Sequence, residues 1–280
     1  MSTPVPEATA HGQRGARVRL RTWRRSLTAL ASLLGRIRVT SSSSASPGSE
    51  TTSSQGLAPG PHAVRFAQDR GPWRPSARPR QGRLGDCWVM AGMLAVHETA
   101  PERLRALMTR EQDGSVTVRL PGAGHPVRVD RMMPVDAAGV FVYGRQDGGG
   151  PGWAGVLEKA IAVQVAGGYR FLQRGFGRFG LELLLGERGR MLLAMPTAGQ
   201  IEAWRAEHRA ILASTHPLSR RVRTAHGPLP PNHVFAVIGA EPVSGHILLR
   251  NPVNPGRVLR VDARTFRRGF ISVDVTGQLR

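Results

Sequence analysis

The stretch CWVMAGMLAVH, residues 87–97, is apolar on almost every face of a helix. A helix with no polar stripe cannot lie on a surface and has to be enclosed by other elements. The chain must therefore build a domain around this segment, and its text divides to suit. Residues 1–13 are polar and patternless, and residues 40–55, TSSSSASPGSETTSSQ, are a low-complexity linker. Up to Arg80 the chain stays rich in Pro and Arg (PWRPSARPR), which predicts an extended approach and not a core element. Residues 1–60 are read as a disordered leader and residues 61–280 as the folded domain.

Within that domain, 115–120 (SVTVRL) and 126–133 (PVRVDRMM) alternate apolar and polar residues on either side of PGAGH, a strand–turn–strand pattern. Residues 139–143 (GVFVY) suit one more short strand. WAGVLEKAIAVQVA (153–166) is a helical run stopped by Gly167-Gly168, and 199–212 (GQIEAWRAEHRAIL) reads as a more exposed helix. VFAVIGA (234–240), HILLRN (246–251), RVLRVD (257–262) and FISVDV (270–275) predict a meander of apolar strands. Helices dominate the first half and strands the second, which points to an α+β fold of two lobes, about 75–185 and about 186–280.

The formal net charge of +20 invites a nucleic-acid partner. Two features argue against one. Of 39 basic residues 38 are arginine, Lys159 being the single lysine, which looks like coding bias more than a phosphate-binding surface. Half of the excess also falls in residues 1–80. There, residues 14–38 carry eight arginines around Leu27, Leu30, Leu33 and Leu34, a spacing that suits weak contact of an amphipathic basic helix with an anionic membrane surface. The apolar run ends at Arg36 with no small-x-small pattern after it, so no cleaved signal peptide is expected. No stretch approaches the ~18–20 apolar residues of a membrane span. Both a cytoplasmic and an exported location remain open.

A single cysteine excludes intramolecular disulfides and Cys-rich zinc clusters. It sits in Gln81-Gly-Arg-Leu-Gly-Asp-Cys87-Trp88, where a glycine-rich turn leads into the apolar helix. The sulfur then falls at a helix N-terminus, where unpaired N–H groups and the dipole favour a thiolate. Asp86 is expected as the N-cap and Trp88 as packing. A buried, inert thiol is an equal reading on these grounds alone. Most of the nine histidines have plain readings as tail, turn, loop or charged-helix residues, and His97 lies about 15 Å along the same helix. His233 differs, because it stands at the mouth of an apolar strand and needs a partner. With AEPVSG (240–245) as a turn, a symmetric hairpin pairs residues whose numbers sum to 484–486. That sets His233 opposite Asn251 to within one residue, where a side-chain carbonyl can accept the imidazole N–H. Asn251-Pro252 reads equally as a turn initiator.

These blocks in this order, QGRLGDCW, WAGVLEKAIAVQVAGGY, NHVFAVIGA and LLRNPVNPG, resemble the catalytic domain of calpains, a branch of the papain-like cysteine proteases. The likeness covers roughly residues 75–280. It implies a papain-like two-lobed fold, a helical lobe carrying the cysteine and an antiparallel β-rich lobe carrying histidine and asparagine. It implies Cys87 as nucleophile, His233 as base and then acid, Asn251 as the residue that orients it, and Gln81 as an oxyanion donor. The implied activity is a cysteine endopeptidase acting on protein or peptide substrates through a thioester. Val253-Asn254 stand where the family has Trp-Gly, and Val234-Phe235 where it favours Ala-Tyr. No EF-hand loop occurs, no cofactor is required by the sequence, and dependence on calcium stays open. The alternatives are a catalytically degenerate calpain-fold binding module and an acyltransferase built on the same Cys-His-Asn set.

Overall fold

The structure is a computed structural model that describes residues 57–279. The basic helix read at 14–38 and the Ser-rich linker lie outside the described residues. The helices are α1 (Cys87–His97), α2 (Pro101–Ala106), α3 (Gly152–Ile161), α4 (Gly177–Leu185), α5 (Ala198–Ala206) and α6 (Ala263–Gly269). The strands are β1 (Arg65–Gln68), β2 (Pro79–Arg80), β3 (Met108–Arg110), β4 (Val116–Val118), β5 (Val127–Val129), β6 (Met132–Val135), β7 (Arg145–Gln146), β8 (Arg190–Leu192), β9 (Ile211–Thr215), β10 (Arg223–Thr224), β11 (Gly227–Pro228), β12 (Val234–Glu241), β13 (His246–Asn251), β14 (Asn254–Val261) and β15 (Phe270–Val275).

Six strands form one antiparallel sheet in the order β14-β13-β12-β9-β15-β8. Because side chains alternate across a strand, β9 and β12 serve two apolar clusters at once. Leu212, Val234 and Ala236 join the cluster built around α1. Ile211, Ala213, Phe235 and Val237 turn the other way, onto Leu249, Leu259, Phe266 and Phe270. Burial on both faces removes the alternating pattern that marks a strand in sequence.

The apolar helix is enclosed as its composition requires: every residue from Cys87 to Val96 is buried. Helix α4 crosses it where both carry glycine. A Cβ on Gly92 would lie 3.4 Å from the Gly180 carbonyl carbon, and one on Gly180 would run into the Trp88 carbonyl oxygen. A methyl group at position 180 therefore forces the two helices apart beside the cysteine. Gly180→Ala is expected to lower stability by about 2–3 kcal/mol, read as a fall in the urea midpoint at unchanged slope. An unchanged midpoint would show that the close approach is dispensable. The far end of α1 is fastened by charge: Glu98 pairs with Arg78 and, at 3.2 Å, with Arg250 of β13, while its carbonyl accepts from Arg205 of α5 at 2.8 Å.

Several expectations are corrected. Residues 199–212 are not one helix: α5 ends at Ala206, His208 takes a left-handed φ of 54°, and Ile211 begins the central strand β9. Residues 139–143 form no strand and contribute one isolated bridge, Val135 to Phe141. The final strands are not a simple meander, since α6 carries the chain across to pair β15 with β9. The approach before Arg80 is partly structural, because β1 pairs with β6 and the carboxylate of buried Asp69 meets Arg131 at 2.7 Å. The 115–133 pattern is realised as β4 paired with β5, and the 153–166 run as α3 followed by a π-helical turn, Ala162–Ala166, stopped by Gly167 at φ 68°. Among the described residues no helix is long and apolar enough to cross a membrane.

Candidate active site

The segment preceding α1 is fixed from two sides. The Arg83 N–H donates to the Val142 carbonyl at 2.7 Å, and the Gln81 N–H donates to the Pro252 carbonyl at 2.8 Å. Arg80 Nε donates to the Val253 carbonyl at 3.1 Å. Gly82 is required here, since any Cβ would overlap the carbonyl oxygens of Val142 and Tyr143. The stretch leading to Cys87 is thereby bonded directly to the turn that follows Asn251.

Cys87 is the first residue of α1 and is buried, 8 % exposed as a residue. Burial pushes the thiol up to about 11, the Val234 backbone N–H directed at the sulfur pulls it down, and the Asp86 charge raises it. The first-turn N–H groups of Cys87 and Trp88 also act on the sulfur. The donor Val234 is the residue after His233, so the strand that carries the histidine also touches the cysteine.

Asn232 holds a left-handed φ of 51°, a conformation that asparagine tolerates, and so turns the chain into β12 behind His233. The imidazole packs edge-on against Phe235 with centroids 5.2 Å apart. Its Nε2 lies 2.9 Å from Asn251 Oδ1. The same oxygen accepts the Val253 N–H at 3.0 Å. A backbone N–H can only meet an acceptor, so the amide orientation follows, and Nε2 must be the protonated nitrogen of the neutral ring. Burial lowers the His233 pKa and the Asn251 bond raises it, leaving it below 6.5. Burial thus favours the neutral form of both thiol and imidazole.

Beside His233 the hairpin register lies at the upper edge of the expected range, which puts Asn251 two residues from direct opposition. Ala236 pairs with Arg250 and Val237 with Leu249, sums of 486, before a bulge between Val237 and Gly239. Asn251 is therefore a diagonal and not a direct neighbour of His233, on the same face of the sheet. The turn reading of Asn251-Pro252 and its bond to the imidazole coexist on one oxygen.

Asp86 occupies the N-cap position, yet its side chain makes no cap hydrogen bond; its carbonyl takes the Val89 and Met90 N–H groups instead. Its carboxylate is buried, and its neighbours are Glu158 and Gln81. Gln81 is also buried, with Nε2 donating to the Leu84 carbonyl at 2.6 Å. That bond uses one of two amide hydrogens. Trp88 is packing, as expected: its Nε1 donates to the Leu172 carbonyl at 2.7 Å, and its ring covers Gly175. A groove of about 200 Å³ opens beside Asn251, floored by Leu229, Phe235 and Leu259 and rimmed by His226 and Arg257. Val253, 44 % exposed, does not close it. Among the described residues no group of three or more His, Cys, Asp or Glu side chains comes together to hold a metal ion.

Two participants escaped the sequence reading, the Val234 N–H and Glu158. The second had a signal, a carboxylate beside Lys159 inside a helical run whose other residues from Trp153 to Val163 are apolar or glycine.

The structure thus sets a thiol at a helix N-terminus beside a histidine-bearing strand, and the comparisons say which family such a chain belongs to. The model of the calpain family of cysteine proteases matches residues 76–256, and the chain belongs to that family. It is 26% identical over 188 residues to the calpain-type cysteine protease DEK1 of Arabidopsis thaliana and equally to the calpain-type cysteine protease ADL1 of Oryza sativa subsp. japonica. Each match covers 61% of this chain and 9% of the relative, so the chain spans under a tenth of the length of the curated relatives it matches.

Proposed function

We propose that the chain is a cysteine endopeptidase with a papain-like two-lobed catalytic domain, using Cys87, His233, Asn251 and Gln81. The observation that carries the reading is the Nε2 bond from His233 to Asn251, which leaves Nδ1 with the lone pair, on a residue whose neighbour Val234 contacts the Cys87 sulfur. As Sγ attacks a peptide carbonyl, Nδ1 takes the thiol proton and Asn251 Oδ1 stabilises the imidazolium through Nε2–H. The oxyanion is met by the Cys87 N–H and the second amide hydrogen of Gln81. Collapse breaks the C–N bond, and Nδ1–H protonates the leaving amine. Water, deprotonated by His233, then attacks the thioester and releases the acid and the thiol.

Replacing Gln81 by Ala removes one oxyanion donor and is expected to lower kcat about 10²-fold with little change in KM, as steady-state kinetics will show. The test of the reading as a whole is incubation with a denatured protein, followed by N-terminal sequencing of the products. New N-termini in proportion to enzyme support it. Amine incorporation without hydrolysis would identify an acyltransferase, and no product with intact fold would identify a binding module.

A further inference from the structure

The reaction just described leaves two carboxyl groups unused. Asp86 is 0 % exposed and Glu158, in α3, is 1 % exposed. Neither oxygen of Asp86, nor Oε1 of Glu158, meets an N–H or O–H of the protein in hydrogen-bonding geometry. Glu158 Oε2 accepts the Gly144 N–H at 2.9 Å. Each carboxyl lies close enough to the other to shift its titration, burial being the larger cause in both. Two carboxylates cannot share a dry site while both are charged, and a proton between them turns the repulsion into a hydrogen bond. It supplies a donor to carboxyl oxygens that otherwise meet none.

The surroundings do not supply an alternative charge. Tyr143 and Tyr169 stand close enough to respond to both carboxyls, and both phenols are pushed up by burial first, with smaller contributions from the carboxyl pair. Gln81 lies near Asp86, and Cys87 follows Asp86 in the chain. Lys159, the adjacent cation in sequence, is engaged by Asp130 and by the Met132 carbonyl at 2.9 Å. Burial raises Asp86 to about 6 and Glu158 well above the usual carboxylate range, so Glu158 is the holder of the proton.

We propose that Glu158 is a positioning residue for the nucleophile: it holds the proton shared with Asp86, so that the pair carries a single negative charge behind Cys87 and fixes the carboxylate that faces Gln81. The proposal rests on the reading of Cys87 as nucleophile. Loss of the shared proton adds a second charge and makes the thiol harder to ionise. The LEKA block thereby acquires a role, as the acid that keeps the base of the Cys87 helix singly charged.

The test uses the full chain and its Glu158→Gln variant, in which a permanent N–H replaces the shared proton. Alkylation of Cys87 by iodoacetamide is followed by mass spectrometry from about pH 6 to about pH 10, and the protonated-carboxyl C=O stretch is recorded by infrared spectroscopy at neutral pH. The expected result is a buried carboxylic-acid band that the variant loses. The variant should also alkylate within about threefold of the wild type at neutral pH, with its alkaline limb moved at least about half a pH unit lower, because no second charge can form. Absence of the acid band in the wild type, coincident pH profiles, or a tenfold loss of neutral-pH reactivity in E158Q would each overturn the proposal. None of these readouts depends on peptide hydrolysis. A chain that shows the band and the shift yet cleaves nothing would therefore sink the protease reading and leave this one standing.

Discussion

Replacing Cys87 by Ala is expected to abolish cleavage of a denatured protein substrate, with kcat down on the order of 10⁵-fold or more. The magnitude follows from the absence of any other thiol. Cys87 is the sole cysteine of the chain, so no neighbour can substitute for it. In the proposed mechanism what remains in the variant is the pair of oxyanion donors, which stabilise charge on the carbonyl oxygen but supply no nucleophile. The fold should survive, because the thiol contributes one small group to a helix whose other residues from Trp88 to Val96 are buried in their own right. Unaltered far-UV circular dichroism with no product formation is the expected pair of results. Retained cleavage would show that the activity belongs elsewhere.

Replacing His233 by Ala is expected to lower kcat/KM on the order of 10⁴-fold. With the thiol held up at about 11, very little thiolate forms near neutral pH without a base to take the proton, so loss of the imidazole is nearly as severe as loss of sulfur. The wild-type rate should fall in acid as His233 protonates, below the ordinary imidazole value of 6.5 because burial depresses it. Stability follows with the same sign. The unfolded chain takes up its proton near 6.5 and the folded chain lower, so this contribution is fully present above 6.5 and is lost as pH falls through that window. In His233→Ala both acid limbs should flatten, in a pH–rate profile and in a series of thermal melts.

Legibility in the sequence tracked how local each physical cause is. The buried helix at Cys87–His97 was readable because an all-apolar turn pattern following Gly82 and Gly85 has one structural meaning. The contact of His233 with Asn251 was anticipated from hairpin arithmetic, yet it is diagonal and not direct, because Glu241 pairs with His246 and the turn is centred about one residue later than a symmetric count assumes. Strand β9 was hidden for a different reason. Buried on both faces, Ile211–Thr215 lacks alternation, and its first residues extend the helical rhythm of α5. The environment of Asp86 was misread because its position before a helix favours capping, while the group that draws its side chain away, Glu158, lies 72 residues later. Val253-Asn254 stand where the family has Trp-Gly, and the sequence does not show what then holds Asn251. The bond that orients Asn251 comes from the Val253 backbone N–H, which any residue but proline provides.

The central claim is that His233 activates Cys87, and the rate of covalent labelling by a peptidyl epoxide at neutral pH tests it most directly. With one cysteine in the chain, a single mass increment locates the adduct without ambiguity. Wild type should acquire one label at Cys87 at least about 10²-fold faster than His233→Ala. Equal rates in the two proteins, both no faster than a free thiol, would contradict it.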